Sequence, residues 1–152
     1  MTFYEPLLSI HILAAITWIG GATTMQLLAI RARESATPAE MASVAGQAAW
    51  LGKRVLTPAA GIVLLAGILM VLISWSFEQL WIIFGLVAFA GSLLSGIFFL
   101  GPESERLAKL LDERDPADQE VQARIQRLFL FSRIELVVLM LIVADMVFKP
   151  GL

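Results

Sequence analysis

Four long stretches of apolar residues dominate the chain, and charged side chains are scarce within them. They run approximately over residues 7–30, 55–75, 80–101 and 128–148. The hydrocarbon core of a bilayer is about 30 Å thick, which an α-helix crosses in about 20 residues. Each stretch reaches that length. The sequence therefore predicts an all-α protein in which four transmembrane helices form a bundle.

Composition restricts the classes of protein and chemistry that remain. Only 16% of the 152 residues are charged, which favours a single integral membrane domain over residues 1–152 whose main partner is the lipid bilayer. The net charge of −2 gives no basis for binding nucleic acid. The absence of cysteine excludes disulfides and thiolate metal sites. No hydrolytic or phosphate-binding motif is present, so no catalytic residue is assigned.

The positive charges predict how the helices are oriented. Nine of the eleven Lys and Arg residues lie between the first and second stretches or between the third and fourth. A tenth, Arg133, lies near the start of the fourth stretch, and Lys149 is the exception. Loops rich in Lys and Arg stay on the cytoplasmic side of a membrane. We therefore expect a multi-pass protein of the bacterial cytoplasmic (inner) membrane with both termini outside. Residues 1–10 lack Lys and Arg, which favours a permanent first span over a cleavable signal peptide.

The two basic connections have different predicted structures. Residues 39–52 are weakly amphipathic and either lie at the membrane surface or extend span 2. Helix 3 continues past Pro102, and helix 4 runs for about 30 residues after an N-cap at Asp115, so both extend into a charged cytoplasmic hairpin. This hairpin is either a solvated stalk or a docking site. The expected protein partners are a second copy of the chain or another membrane protein.

Besides Arg133, three ionisable residues lie within the predicted spans, where such groups are costly and often functional. His11 in span 1 is either a metal or haem ligand or a structural hydrogen-bonding group. Asp145 in span 4 lies at the same depth, and it either pairs with His11 directly or through one water, or extends to the outer headgroups near Lys149. Glu135 lies near the opposite surface, within reach of Lys53 or Arg54. Asp145, Glu135 and Arg54 are therefore candidate supporting groups.

A short motif follows His11 on the same helix. Trp18 is seven residues after His11 and shares its helix face, and Gly20 and Gly21 follow directly. Glycine removes side-chain bulk, which permits either a flat cofactor or a close helix contact. His11, Trp18, Gly20 and Gly21 together form the candidate cofactor site.

Small residues in span 3 suggest a second place of close packing. Gly91 and Ser95, and likewise Ser92 and Gly96, are four residues apart. This spacing allows helix backbones to approach each other in a membrane. We therefore expect one of these faces to meet a neighbouring helix.

Three segments occur in an order that carries a family resemblance. They are HILAAITWIGG at 11–21, KRVLTPAAGIVLLAGI at 53–68 and FSRIELVVLMLIVADMVFKP at 131–150. The chain resembles the HemJ-type superfamily of small bacterial four-span membrane proteins, which includes haem-binding protoporphyrinogen oxidases. It is most similar to a branch described as predicted integral membrane proteins, and more distantly resembles the CopD-type copper-resistance proteins.

The resemblance implies a function for His11. It places His11 at the position proposed to bind haem in the HemJ-type enzymes, and so implies a haem b cofactor with a redox role. Those enzymes carry an important lysine in the third span, whereas residues 80–89 here read LWIIFGLVAF without lysine. The resemblance therefore does not extend to protoporphyrinogen oxidation. The alternative function is non-enzymatic membrane assembly or partner binding without a cofactor.

Overall fold

The fold consists of four long helical rods. A computed structural model describes residues 3–35, 37–115 and 117–151, and all regular structure in these ranges is helical. The rods are α1 (Tyr4–Ser35); α2 (Pro38–Leu51), a π-helical turn (Gly52–Leu56) and α3 (Thr57–Ser74); α4 (Leu80–Ser95), a π-helical turn (Gly96–Leu100) and α5 (Gly101–Glu113); and α6 (Gln119–Phe148). The predicted all-α fold is confirmed.

The rods pack side by side into one bundle. Helix α1 packs chiefly against α3, and α4 packs chiefly against α6. The central core of the bundle takes residues from all four of these helices, because each contributes an apolar face to the interior. Its buried members are Ala14, Trp18, Ala59, Ala60, Val63, Phe89 and Leu139. The end of the bundle that contains the 75–79 turn is called the short-turn end below, and the opposite end the extended end.

The extended end has its own apolar core. Helix α2 packs along α5, and the first turns of α6 also pack against α5. Residues of all three helices form one buried apolar cluster. The buried members of this cluster are Ala42, Ala45, Leu107, Leu111, Val121 and Ile125. Residues 39–52 therefore extend span 2 and do not lie flat at a surface. The α5–α6 hairpin is covered by α2 on one side, so it is not a bare stalk.

Two prolines account for the π-helical turns. The backbone N–H groups of Thr57 and Gly101 bond to carbonyls five residues earlier, at Gly52 and Gly96. Pro58 and Pro102 follow these donors, and a proline has no N–H and clashes with the carbonyl four residues before it. The wider π turn relieves that clash without ending the helix. The two turns contact each other.

Polar side chains cap the starts of α2 and α6. Thr37 and Glu40 form a reciprocal capping box, in which the Thr37 backbone N–H donates to Glu40 Oε2 over 2.7 Å. This hydrogen bond lowers the pKa of the Glu40 carboxyl. The N-cap of α6 is Asp118, which accepts from the Glu120 N–H over 2.8 Å. The predicted N-cap at Asp115 is wrong, because Asp115 instead accepts from the N–H of Ala117 within the loop.

Ion pairs join α5 to α6 at the extended end. Glu103 is buried, and its carboxylate accepts from Arg124 Nη1 over 2.6 Å. Arg124 also contacts Glu120, and Arg114 bonds to Glu120 over 2.7 Å. Charge-assisted bonds of this kind are shorter and stronger than neutral ones. They hold the two helices in register beyond the apolar stretches.

Three helices are long and apolar enough to cross a membrane. Among the described residues they are Tyr4–Glu34, Ala39–Ser74 and Leu80–Glu113. These correspond to the first three predicted spans. Helix α6 does not meet the same criterion, because Arg133, Glu135 and Asp145 interrupt its apolar sequence.

Aromatic side chains and a lysine gather at the short-turn end. Trp75 and Trp81 meet edge to face with their ring centroids 5.1 Å apart, and the Trp75 indole N–H donates to the Tyr4 hydroxyl. The Lys149 ammonium lies 4.2 Å from the Trp75 ring centroid and 5.3 Å from that of Trp81. These cation–π contacts tie the end of α6 to α3 and α4.

Replacing Lys149 tests the contribution of this contact. We expect Lys149→Met to lower the free energy of unfolding in detergent by about 0.5–2 kcal/mol, because it keeps the chain length but removes the cation. Lys149→Arg is the matched control and should retain most of the stability. Equal losses in the two variants, measured by thermal unfolding, would mean that the cation over the indole rings contributes nothing.

Candidate functional site

His11 is fixed against α3 by a hydrogen bond to backbone. Its Nδ1 lies 2.9 Å from the carbonyl oxygen of Val63. A carbonyl only accepts hydrogen bonds, so Nδ1 carries the hydrogen and Nε2 is the unprotonated nitrogen of the neutral ring. Gly67 makes room for the ring, since a Cβ there would lie 3.2 Å from His11 Cε1. A backbone carbonyl on one ring nitrogen is the usual support for a histidine that binds metal through the other.

Asp145 faces a different helix. Its Oδ2 lies 3.4 Å from where a Cβ on Gly85 of α4 would be, and this oxygen is buried without a hydrogen-bond partner in the described structure. The predicted hydrogen bond between Asp145 and His11 is therefore wrong. Each side chain is turned toward the helix that its own helix packs on, which is α3 for His11 and α4 for Asp145.

The other three residues of the predicted cofactor motif lie in different environments. Trp18 is buried in the central core, with its ring edge-on to Phe89 at 4.9 Å. Gly21 allows a close helix contact, because a Cβ there would lie only 2.6 Å from Leu56 Cδ2. Gly20 is exposed and would meet no atom within 4 Å. These residues and His11 do not line a common cavity.

Glu135 and Arg54 are not brought together. Glu135 is half-buried and accepts a hydrogen bond from the Ser92 hydroxyl of α4. Arg54 is exposed and forms no salt bridge with any described residue. It lies with Lys53, Lys109 and Trp50 around a shallow surface depression at the extended end. The hydrogen-bond partner of the Glu135 carboxylate is therefore a hydroxyl group and not a cation.

A partly open cavity of about 210 Å³, called the interior cavity below, lies at the level of the two π turns. Its wall is mostly apolar and includes Trp18, but seven polar side chains also line it. They are Gln26, Arg33, Thr57, Ser92, Ser104, Ser132 and Glu135. The Ser132 hydroxyl lies 2.5 Å from Gln26 Oε1, whereas Gln26 Nε2 is buried without a partner in the described structure.

Sequence reasoning did not identify Gln26 or Ser132, and it named Ser92 only as a residue of close helix packing. Of the two predicted faces, that of Gly91 and Ser95 does not meet another helix of the chain at Gly91, which is exposed with no atom within 4 Å of an added Cβ. The other predicted face is the inward one, because Ser92 is buried. One available signal was that Gln26 is eight residues after Trp18 and therefore shares its buried face.

Metal-ligating side chains do not cluster in the part of the chain that the structure describes. No group of three or more His, Cys, Asp or Glu residues there could hold a metal ion. His11 thus provides a single nitrogen ligand without a supporting set of protein ligands.

Comparison with known proteins identifies one family. A family model described as "Predicted integral membrane protein (DUF2269)" matches residues 6–150. No curated protein matches the chain, and no solved structure matches it. The match agrees with the predicted branch of integral membrane proteins. The wider likeness to HemJ-type and CopD-type proteins stays a prediction.

Proposed function

The chain belongs to the family of predicted integral membrane proteins (DUF2269), and on that premise we propose that α6 is its fourth membrane span. The carboxylates of α6 are directed into the bundle, Glu135 toward Ser92 and Asp145 toward Gly85. Apart from Arg133, which is exposed toward the extended end, the outward face between residues 130 and 148 is apolar. Its exposed apolar residues are Leu130, Phe131, Ile134, Val137, Met140, Leu141, Val143, Val147 and Phe148.

The charge distribution supports one orientation in the bacterial cytoplasmic membrane. The extended end, with its basic residues, lies in the cytoplasm, and the short-turn end and both termini lie outside. Exposed Lys53 and Arg54 follow exposed Trp50, a residue type enriched at membrane interfaces. Helices α2 and α5 and the first turns of α6 then extend beyond the bilayer as a cytoplasmic bundle.

The function that the geometry favours most is haem b binding through His11. The observation that carries it is the hydrogen bond from His11 Nδ1 to the Val63 carbonyl, which leaves Nε2 as the metal-binding nitrogen. Bound haem would supply one-electron redox chemistry. His11 is held within the bundle beside Gly67, so its ring orientation is set before any ligand arrives.

The proposed haem site uses His11 alone, whereas the sequence motif implied a site that also includes Trp18, Gly20 and Gly21. The donor chemistry of His11 fits haem, but Trp18, Gly20 and Gly21 do not enclose a porphyrin with it. The interior cavity does not include His11 and is smaller than the roughly 300–1,000 Å³ typical of ligand pockets. A complete haem site would therefore need a surface beyond this single chain, such as a second copy or another membrane protein.

An absorption spectrum tests this function. Protein purified in mild detergent from haem-replete cells should show a Soret band, and His11→Ala should reduce it more than tenfold while retaining its helical circular dichroism. Ser9→Ala on the exposed face of α1 is the control and should keep the band. Colourless wild-type protein, or a full Soret band in folded His11→Ala, would contradict haem binding.

The second candidate is membrane assembly or partner binding without a cofactor. It is favoured by the ordered extension at the basic end, where ion pairs and an apolar core hold α2, α5 and α6 together. A rigid charged surface of this kind suits docking better than a solvated stalk does. Wild-type protein that is colourless and copurifies with one membrane protein in a fixed ratio would favour this alternative.

A further inference from the structure

The shallow depression between the second rod and α5 gathers three cations and is called the basic depression below. Lys53, Arg54 and Lys109 line it and are exposed, and none of them forms a salt bridge with a described residue. Among its described lining residues, Glu105 is the only carboxylate. The depression therefore carries an excess of positive charge, which favours an anion as its ligand.

Small residues form the rest of the lining. Gly46, Ala49 and Ala108 belong to it, and α2 packs along α5 here. A Cβ added at Gly46 would meet no atom within 4 Å, so this part of the depression is open. Two of the cations come from the π turn after α2 and the third from α5. An anion that enters the depression thus lies among cations of two rods.

The basic depression lies at the level that the headgroups of a bilayer would occupy. Residues 55–74 follow directly after Arg54, contain no charged side chain and have the length of a hydrocarbon core about 30 Å thick. Trp50 also lines the depression and is 62% exposed, and tryptophan is enriched at membrane interfaces. Both helices that border the depression are long and apolar enough to cross a membrane.

An apolar strip leads from the basic depression along α3. Pro58, Ile62 and Leu65 follow Arg54 at intervals of three or four residues, and all three are exposed. Side chains at this spacing share one face of a helix. In a membrane this face contacts acyl chains, so the surface beside the cations is covered by lipid. A lipid headgroup is therefore a better match for the depression than an acidic segment of a protein partner.

We propose that the basic depression binds the phosphate of an anionic phospholipid, whose acyl chains lie along the apolar strip of α3. The guanidinium of Arg54 suits paired contacts with phosphate oxygens, and the two lysines supply further positive charge. A headgroup with net negative charge is preferred to a zwitterionic one, because the excess charge of the depression repels a choline cation. The proposal rests on the second and third rods crossing the membrane, and neither on haem binding nor on α6 as a span.

Lipid titration of the full chain in non-ionic detergent tests this site. Phosphatidylglycerol or phosphatidylcholine with the same acyl chains is added, and the dissociation constant of each is measured by native mass spectrometry. We expect the double variant Lys53→Gln with Arg54→Gln to weaken phosphatidylglycerol binding about twentyfold, since each cation contributes about fivefold. Phosphatidylcholine binding should change less than about twofold. Glu105→Gln should tighten phosphatidylglycerol binding about fivefold, because it removes the opposing charge.

A matched variant separates the depression from the net charge of the protein. Arg127 and Arg133 are exposed on α6 and do not line the depression, so Arg127→Gln with Arg133→Gln should leave phosphatidylglycerol binding unchanged. Equal weakening by the two double variants would overturn the proposal. Equal affinity of the wild-type protein for both lipids would overturn it in favour of an acidic protein partner. Displacement of phosphatidylglycerol by inorganic phosphate at equal concentration would overturn it in favour of a soluble anion.

Discussion

Replacing Trp18 with alanine should lower the free energy of unfolding by about 3–5 kcal/mol, even in protein without any cofactor. Trp18 is 8% exposed and belongs to the central core. Its ring meets that of Phe89 edge to face at 4.9 Å, a geometry that adds to the packing energy of two aromatic side chains. Removing the indole would leave a void in the central core, and the surrounding helices can close it only in part.

Trp50→Ala is the matched control for this experiment. Trp50 is 62% exposed at the surface of α2, so its replacement should change the free energy of unfolding by about 0.5 kcal/mol or less. Both variants are compared by chemical unfolding in one detergent, with haem-free protein. A Trp18→Ala variant as stable as Trp50→Ala would place Trp18 outside the core and restore its interpretation as a cofactor-binding residue.

The positions of the helices could be predicted because the membrane constrains length directly. Apolar stretches at 7–30 and 80–101 became α1 and α4 with its π turn, since a bilayer requires about 20 apolar residues per span. The sequence alone left open how far the second rod extends. Residues 39–51 are rich in alanine, whose weak hydropathy does not decide between a surface helix and a packed one. Packing against α5 decides it.

The polar contacts inside the bundle could not be predicted in the same way. Which helix a side chain faces depends on the rotation of each helix about its axis, and neighbouring helices set that rotation. Depth alone suggested that His11 and Asp145 pair, yet His11 bonds to a backbone carbonyl of α3 and Asp145 packs on α4. Gln26 gave little signal because a single polar residue barely lowers the mean hydropathy of a span of about 20 residues.

The close contacts at Gly67 and Gly85 show what small residues do in this bundle. Each glycine admits a polar side chain from another helix, His11 in one case and Asp145 in the other. The sequence marked small residues of span 3, Gly91 among them, as sites of helix approach. The difference again depends on helix rotation, since Gly91 is exposed whereas Gly85 is buried.

The four-span bundle requires α6 to cross the membrane with its carboxylates turned inward. The chain contains no cysteine, so single cysteines can be introduced without background labelling. The positions are Ser76 in the short turn, Asp115 in the loop before α6 and Pro150 after it, all of which are exposed. Each variant is treated in intact bacterial cells with a maleimide that passes the outer membrane but not the cytoplasmic membrane.

We expect Ser76→Cys and Pro150→Cys to react fully in intact cells, and Asp115→Cys to react only after the cytoplasmic membrane is permeabilised. That pattern requires an odd number of crossings between residues 115 and 150, which α6 alone can supply. Labelling of Pro150→Cys and Asp115→Cys under the same condition would place both ends of α6 on one side of the membrane, and would contradict the four-span bundle.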